Sequence, residues 1–180
     1  SSKQIYPTKK YKNVRINSFE KKLCGKFRPG HFEAVVNVID RFIKIINPKN
    51  IYLGEKDMQQ LKIVEDFIKK NHIKTKVIGC KTMREKNGIA CSSRNFFLSS
   101  NEELIASKIY FLLMAKKKSL IKKKLSLNVI KSNFIKLGVK KIDYIKLLDI
   151  NKLIRPYKKK NNYRIFIAYY LGKTRLIDNI

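Results

Sequence analysis

The chain has 180 residues, 44% of them hydrophobic and 11% aromatic, which is enough for one ordinary domain or two small ones with a real core. No run approaches the roughly 20 apolar residues of a membrane span, and Ser1-Ser2-Lys3-Gln4 leads into no signal-peptide apolar region, so a cytoplasmic protein with no membrane partner is expected. A net charge of +29 would point to nucleic acid, but lysine far outnumbers arginine and is spread through nearly every segment, which argues for a nucleotide-biased coding sequence rather than one binding face.

Arg28-Pro29-Gly30 is a turn signal. The residues after it predict an amphipathic helix with Val35, Val38, Ile39, Phe42, Ile45 and Ile46 at helical spacing, ended by Asn47-Pro48. Lys49-Asn50 then leads into a short strand, Ile51 to Leu53. A second helix, from about Asp57 to Lys70, carries Leu61, Val64, Phe67 and Ile68 on one side, and Lys76-Val77-Ile78-Gly79 reads as the next strand. Strand, helix and strand in that order predict a right-handed parallel crossover, half of a doubly wound α/β domain.

The grammar then changes. Asn87-Gly88 is a strong hairpin-turn signal separating Met83-Arg84-Glu85 from Ile89-Ala90-Cys91. Ser100 and Glu103 have capping-box spacing at the start of a helix with Leu104, Ile105, Ile109, Leu112 and Leu113 on one side. Its basic end, Lys116 to Lys124, reads as solvated. Ile142 to Leu147 and Tyr163 to Leu171 read as strands joined by a polar stretch around 158–162. The second part is therefore expected to be α+β, with a boundary giving domains 1–82 and 83–180.

Charged groups gather where the first strand should end and its helix begin, at Gly54-Glu55-Lys56-Asp57, followed by Met58-Gln59-Gln60-Leu61. An open α/β sheet binds its ligand at such a corner. Glycine would allow a tight turn, Lys56 offers a cation to phosphate, and the helix N-terminus adds backbone donors. Asp57 reads equally as a plain N-cap, Lys56 as a surface lysine, and Gln59-Gln60 as either a grip on a carboxylate or a solvated helix face. Cys91-Ser92-Ser93-Arg94-Asn95 offers hydroxyls, a guanidinium and an amide suited to polyphosphate, or is a loop of turn-forming serines with an exposed arginine. Arg28 and His31 either line a pocket rim or simply begin a helix. Cys24, Cys80 and Cys91 are odd in number and lack metal-ligand spacing, and His31 and His72 lie far apart, so neither a disulfide nor a bound structural metal is expected.

Taken together, Arg28-Pro29-Gly30-His31-Phe32, then Gly54-Glu55-Lys56-Asp57-Met58-Gln59-Gln60-Leu61, then Arg84 through Asn95, with Leu176-Ile177-Asp178-Asn179 near the end, resemble the pantothenate synthetase family along essentially the whole chain. The resemblance implies an α/β fold: part of a doubly wound, Rossmann-like nucleotidyltransferase domain, then a smaller α+β C-terminal lid domain. It also implies an ATP-dependent ligase, working with Mg2+, that condenses pantoate with β-alanine through a pantoyl adenylate, as a homodimer. Lys56 matches the family's catalytic lysine on the phosphates. Gly54, Glu55, Asp57, Met83, Cys91, Ser92, Ser93 and Arg94 match ATP-contact positions, Gln60 matches a pantoate-binding glutamine, and Arg28 and His31 match positions near the pocket rim. Cys91 departs from the leucine or methionine usual there.

The family also has an upstream half of its nucleotide-binding domain, with a histidine-bearing ATP motif, that these residues do not include; the expectation is a C-terminal portion that is not catalytically complete alone. The rival expectation is a degenerate nucleotidyltransferase-fold basic module that binds nucleic acid without catalysis.

Overall fold

In the computed structural model, which describes residues 14–154 and 161–180, the chain divides after Cys80 into two units. The described residues of the first begin with elements that have no clear sequence signal: a 3-10 turn, Ser18–Lys21, whose Phe19 N–H donates to Asn17 Oδ1, and a one-turn helix α1, Leu23–Lys26. Helix α2, His31–Ile46, begins after Gly30 and ends at Asn47, both in the left-handed conformation. Its buried residues are Phe32, Val36 and Ile43. The expected stripe is therefore not the core stripe, and Ile45 and Ile46 are 61% and 65% exposed. The helix is apolar on more than one side, so periodicity alone could not choose which side packs on the next helix. Its other apolar side, with Ile39, Phe42 and Ile46, joins Pro48, Ile51 and Tyr52 in lining an open cleft of about 330 Å³.

Strands β1, Asn50–Gly54, and β2, Lys76–Cys80, run parallel, from the pair Asn50 and Lys76 to the pair Gly54 and Cys80. Helix α3, Met58–Lys70, connects them, as the strand-helix-strand pattern predicts. It buries Met58, Leu61, Ile63, Val64, Phe67 and Ile68, each such side chain contributing about 1.5–3 kcal/mol on removal from water.

The second unit is an antiparallel sheet backed by two helices. Helix α4, Ser100–Ile121, is opened by a capping box one residue earlier than expected, with Ser99 as N-cap and Glu102 reaching back to it. The spacing fits both pairs. Ser99 wins because it stands in the extended conformation that an N-cap needs, while Glu103 is engaged by the Asn87 amide. Leu104 is exposed and the core face of α4 is Ala106, Ile109, Leu113 and Leu120. Helix α5, Leu127–Lys136, and strand β5, Thr174–Asn179, are not marked by the sequence patterns. Strands β3, Lys141–Asp149, and β4, Tyr163–Leu171, match the expected positions. The sheet order is β3-β4-β5. The polar stretch 158–162 expected to join them falls largely outside the described residues. Ile165, Ile167, Tyr169 and Leu171 of β4 meet Ile109 and Leu113 of α4 and Ile130 and Phe134 of α5 in one apolar cluster. No helix among the described residues is long and apolar enough to cross a membrane.

Candidate functional site

The corner after β1 is built as a 3-10 turn, Glu55–Asp57, between the strand and α3. Gly54 has φ −66° and ψ 131°, extended backbone open to any residue, and a Cβ there would meet no protein atom within 4 Å. The tight turn expected of Gly54 is therefore not what calls for glycine. Asp57 occupies the N-cap position of α3 but makes no side-chain cap hydrogen bond, so its exposed carboxylate is not spent on the helix. Glu55 lies over the end of β2, where a Cβ on Gly79 would come within 3.4 Å of Glu55 Oε1. Lys56 and Gln60 are half-buried on either side of Asp57.

Arg28 and His31, at the entry to α2, come to the same corner. Burial holds the His31 imidazole below its ordinary value near 6.5, the Arg28 charge lowers it further, and Asp57 pulls the other way. That electrostatic influence brings three of the residues singled out in sequence into one neighbourhood of the first unit. Such a group, cationic at Lys56 and Arg28 with an amide at Gln60, is chemically suited to carboxylates and phosphates.

Gln59 is the residue sequence reasoning undervalued. It is not on a solvated face: it is 5% exposed, and its amide donates to the Phe19 and Lys22 carbonyls (2.9 and 2.7 Å) while accepting from the Cys24 N–H (3.0 Å). The one signal in the sequence was the apolar Ile63 four residues on; that Asp66, seven on, is also buried is visible only in the structure.

In the second unit the Asn87-Gly88 hairpin forms with a three-residue loop. The Glu85 N–H donates to Ile89 O, the Gly88 N–H to Glu85 O, and Gly88 takes φ +85° at the bulge position. A Cβ on Gly88 would also lie 2.2 Å from Tyr110, so both backbone and packing demand glycine. Met83 and Cys91 face each other across the hairpin mouth through a Cys91 N–H to Met83 O bond of 3.0 Å. Beyond it, Ser92 caps the 3-10 turn Ser93–Phe97, accepting from the Arg94 N–H, and Asn95 donates to Glu85 Oε1 and Ala90 O. Arg94 is exposed, with Nη1 3.3 Å from the Arg175 carbonyl of β5. The loop thus presents exposed Met83, Cys91, Ser93 and Arg94 from a frame fixed by its own hydrogen bonds.

Arg84 secures that frame: it and Asp178 both lie in stretches that carry the family resemblance, but their pairing was not legible in the sequence. Its guanidinium makes a two-point pair with Asp178 of β5 (2.7 and 3.0 Å), donates to Gly88 O and stacks over the Tyr110 ring. Among the described residues no three His, Cys, Asp or Glu side chains gather as a metal site.

Residues 1–180 match the family described as pantoate-beta-alanine ligase. The curated pantothenate synthetase of Clostridium botulinum strain Loch Maree is 39% identical over 98% of this chain and 64% of its own length. That of Sulfurihydrogenibium sp. is 36% identical over the whole chain and 66% of its own length. The chain therefore spans about two thirds, or slightly less, of these relatives. Among solved structures, the pantoate-beta-alanine ligase of Francisella tularensis, complexed with beta-gamma ATP and beta-alanine, matches with a TM-score of 0.76 at 36% identity, covering 100% of this chain and 62% of the other. The pantothenate synthetase of Thermus thermophilus matches with a TM-score of 0.84 at 27% identity, covering 100% and 67%.

Proposed function

The chain belongs to the pantoate-beta-alanine ligase family, and from that membership we propose that it serves the ATP-dependent joining of pantoate to β-alanine. A pantoate carboxylate oxygen attacks the α-phosphorus of ATP, the bond to pyrophosphate breaks, and a pantoyl adenylate forms. The deprotonated amine of β-alanine then attacks the acyl carbon, and AMP leaves with the oxygen it shared. A free carboxylate is a poor electrophile, so the site must hold two anions together, offset charge on the phosphates and keep water from the mixed anhydride.

The observation that carries this reading is the β1–α3 corner, where Lys56, Asp57 and Gln60 follow the carboxyl end of a parallel strand. Lys56 is assigned as the catalytic cation on the phosphates. Gly54, Glu55 and Asp57, with Met83, Cys91, Ser92, Ser93 and Arg94 of the second unit, are assigned to ATP, Gln60 to the pantoate, and Arg28 and His31 to the pocket rim. The open space over Gly54 suits backbone contact with a nucleotide. Residues 1–82 then serve as the ATP and pantoate domain and 83–180 as the lid. Mg2+ would enter on the phosphate oxygens of ATP, whose hard oxygen ligands suit it. A cytoplasmic homodimer completes the assignment.

The test is pantoate-dependent exchange of labelled pyrophosphate into ATP, catalysed by the product of the complete reading frame. Exchange that requires pantoate and falls about 100- to 1000-fold in Lys56→Ala, the cost typical of losing one preorganised charge-stabilising donor, is the expected result. A folded protein with no exchange would overturn the reading and favour the nucleic-acid-binding alternative.

A further inference from the structure

The first unit carries a backbone strain next to a buried amide, and the two are linked. Leu23 has φ +46°, the left-handed region that a bulky residue enters only when its surroundings force it there. The peptide groups on either side of it are the ones Gln59 holds: the amide donates to Lys22 O at 2.7 Å and accepts from the Cys24 N–H at 3.0 Å. A third bond, to Phe19 O at 2.9 Å, fixes the turn before. The segment has no slack, since a Cβ on Gly25 would lie 1.4 Å from the Glu20 carbonyl oxygen. Three residues later the chain reaches Arg28 and then His31. Gln59 itself stands in the first turn of α3, next to Gln60 and three residues after Lys56.

We propose that Gln59 is a positioning residue, whose buried carboxamide holds the strained bend at Leu23 and thereby sets Arg28 and His31 against the β1–α3 corner. The role rests on the proposed function, because Arg28 and His31 matter as the rim of a pantoate and phosphate pocket. Gln59 is 5% exposed and its amide is spent on backbone groups, so its part is positioning. It acts as a gauge between two segments about 35 positions apart in sequence, joined by three hydrogen bonds from one side chain. An apolar residue of similar volume fills the same space but takes the Gln59 acceptor from the buried Cys24 N–H and leaves the Phe19 and Lys22 carbonyls only their backbone donors, the Lys22 and Gly25 N–H groups; loss of a buried group's acceptor is costlier than the bond's own net worth.

The experiment compares Gln59→Leu with Ile63→Val, a destabilising change in the core face of the same helix that removes none of these three hydrogen bonds. In the full chain with Cys80→Ser and Cys91→Ser, Cys24 is the remaining thiol, buried beside the bend, and its alkylation by iodoacetamide reports the clamp without any reference to activity. Gln59→Leu should speed alkylation at least about tenfold while Ile63→Val leaves it near the parent rate, since one unsatisfied buried group already amounts to about a factor of ten. With native cysteines, pyrophosphate exchange should show a pantoate KM raised by about tenfold or more in Gln59→Leu and near the parent value in Ile63→Val. Unchanged alkylation would overturn the clamp. Faster alkylation with an unchanged pantoate KM would overturn the positioning role. Absence of exchange from the wild-type protein would count against the proposed function, and the thiol measurement would still decide whether Gln59 holds the bend.

Discussion

At the residue scale, His31 ties the corner to pH. Burial and Arg28 lower its pKa in the fold, so below the ordinary value near 6.5 the unfolded chain takes up the proton first. Stability from this group is therefore complete above that value and is lost as pH falls from it through the native one. The melting temperature should fall between about pH 7 and pH 5 more steeply in the wild type than in His31→Gln, which cannot titrate there. Parallel curves for the two proteins would remove His31 as a native-state titrating group. The residues at this corner also show what a sequence conveys. The placing of Lys56, Asp57 and Gln60 at the strand-to-helix corner was legible because charged and amide groups are conspicuous after an apolar strand. Gln59 was misread because a glutamine is usually solvated, and only its position relative to Ile63 reveals that it points inward. Gly54 was misread in the opposite sense: its backbone is ordinary, so no turn there requires glycine.

Elements were legible where one local pattern dominated. The β1-α3-β2 crossover has strands of the right length and a helix with a strong apolar side, so its type and order could be read directly. Helix α5 and strand β5 are held by the cluster around β4, a long-range condition that no short window contains. The hairpin at 84–90 lies between these cases, since Asn87-Gly88 announces the turn but not the Arg84 pair that anchors it. Gly88→Ala should cost about 1–2 kcal/mol for the left-handed backbone, and crowding against Tyr110 should add about 1–3 kcal/mol. Arg84→Ala leaves Asp178 without its guanidinium. Because both side chains are partly solvated, the loss should sit at the lower end of the about 3–5 kcal/mol seen when a buried pair is broken. Both changes should loosen the frame behind Cys91–Arg94, and amide exchange at Cys91 and Asn95, whose N–H groups are bonded to Met83 O and Ser92 O, is the local measurement. Protection at those two amides equal to wild type would show that the loop does not depend on the Arg84 anchor.

For the whole molecule the governing quantity is charge. With 42 basic and 13 acidic side chains, most cations have no carboxylate to face. Several of the carboxylates are already engaged, Asp66 with Lys70, Asp143 with Arg175 and Asp178 with Arg84. The lysines at 116, 118 and 122–124 lie exposed toward the end of α4 and just beyond it, as the sequence suggested, and Lys117 is held below the usual lysine range by burial and then by Arg164. Self-repulsion among such charges disfavours the compact state and is screened over about 10 Å at 0.1 M salt, whereas the partly buried pairs are screened far less. Added sodium chloride should therefore raise the melting temperature over the range from about 10 to 300 mM, against the weakening expected if exposed ion pairs held the fold. The same titration bears on partners. A protein whose basicity is dispersed should bind duplex DNA weakly and lose it smoothly with salt, while a true nucleic-acid face would give tight binding with a steep logarithmic slope. Thermal stabilisation by salt together with weak DNA binding would mark the charge as compositional, and a melting temperature that fell with salt would show that ion pairing outweighs self-repulsion.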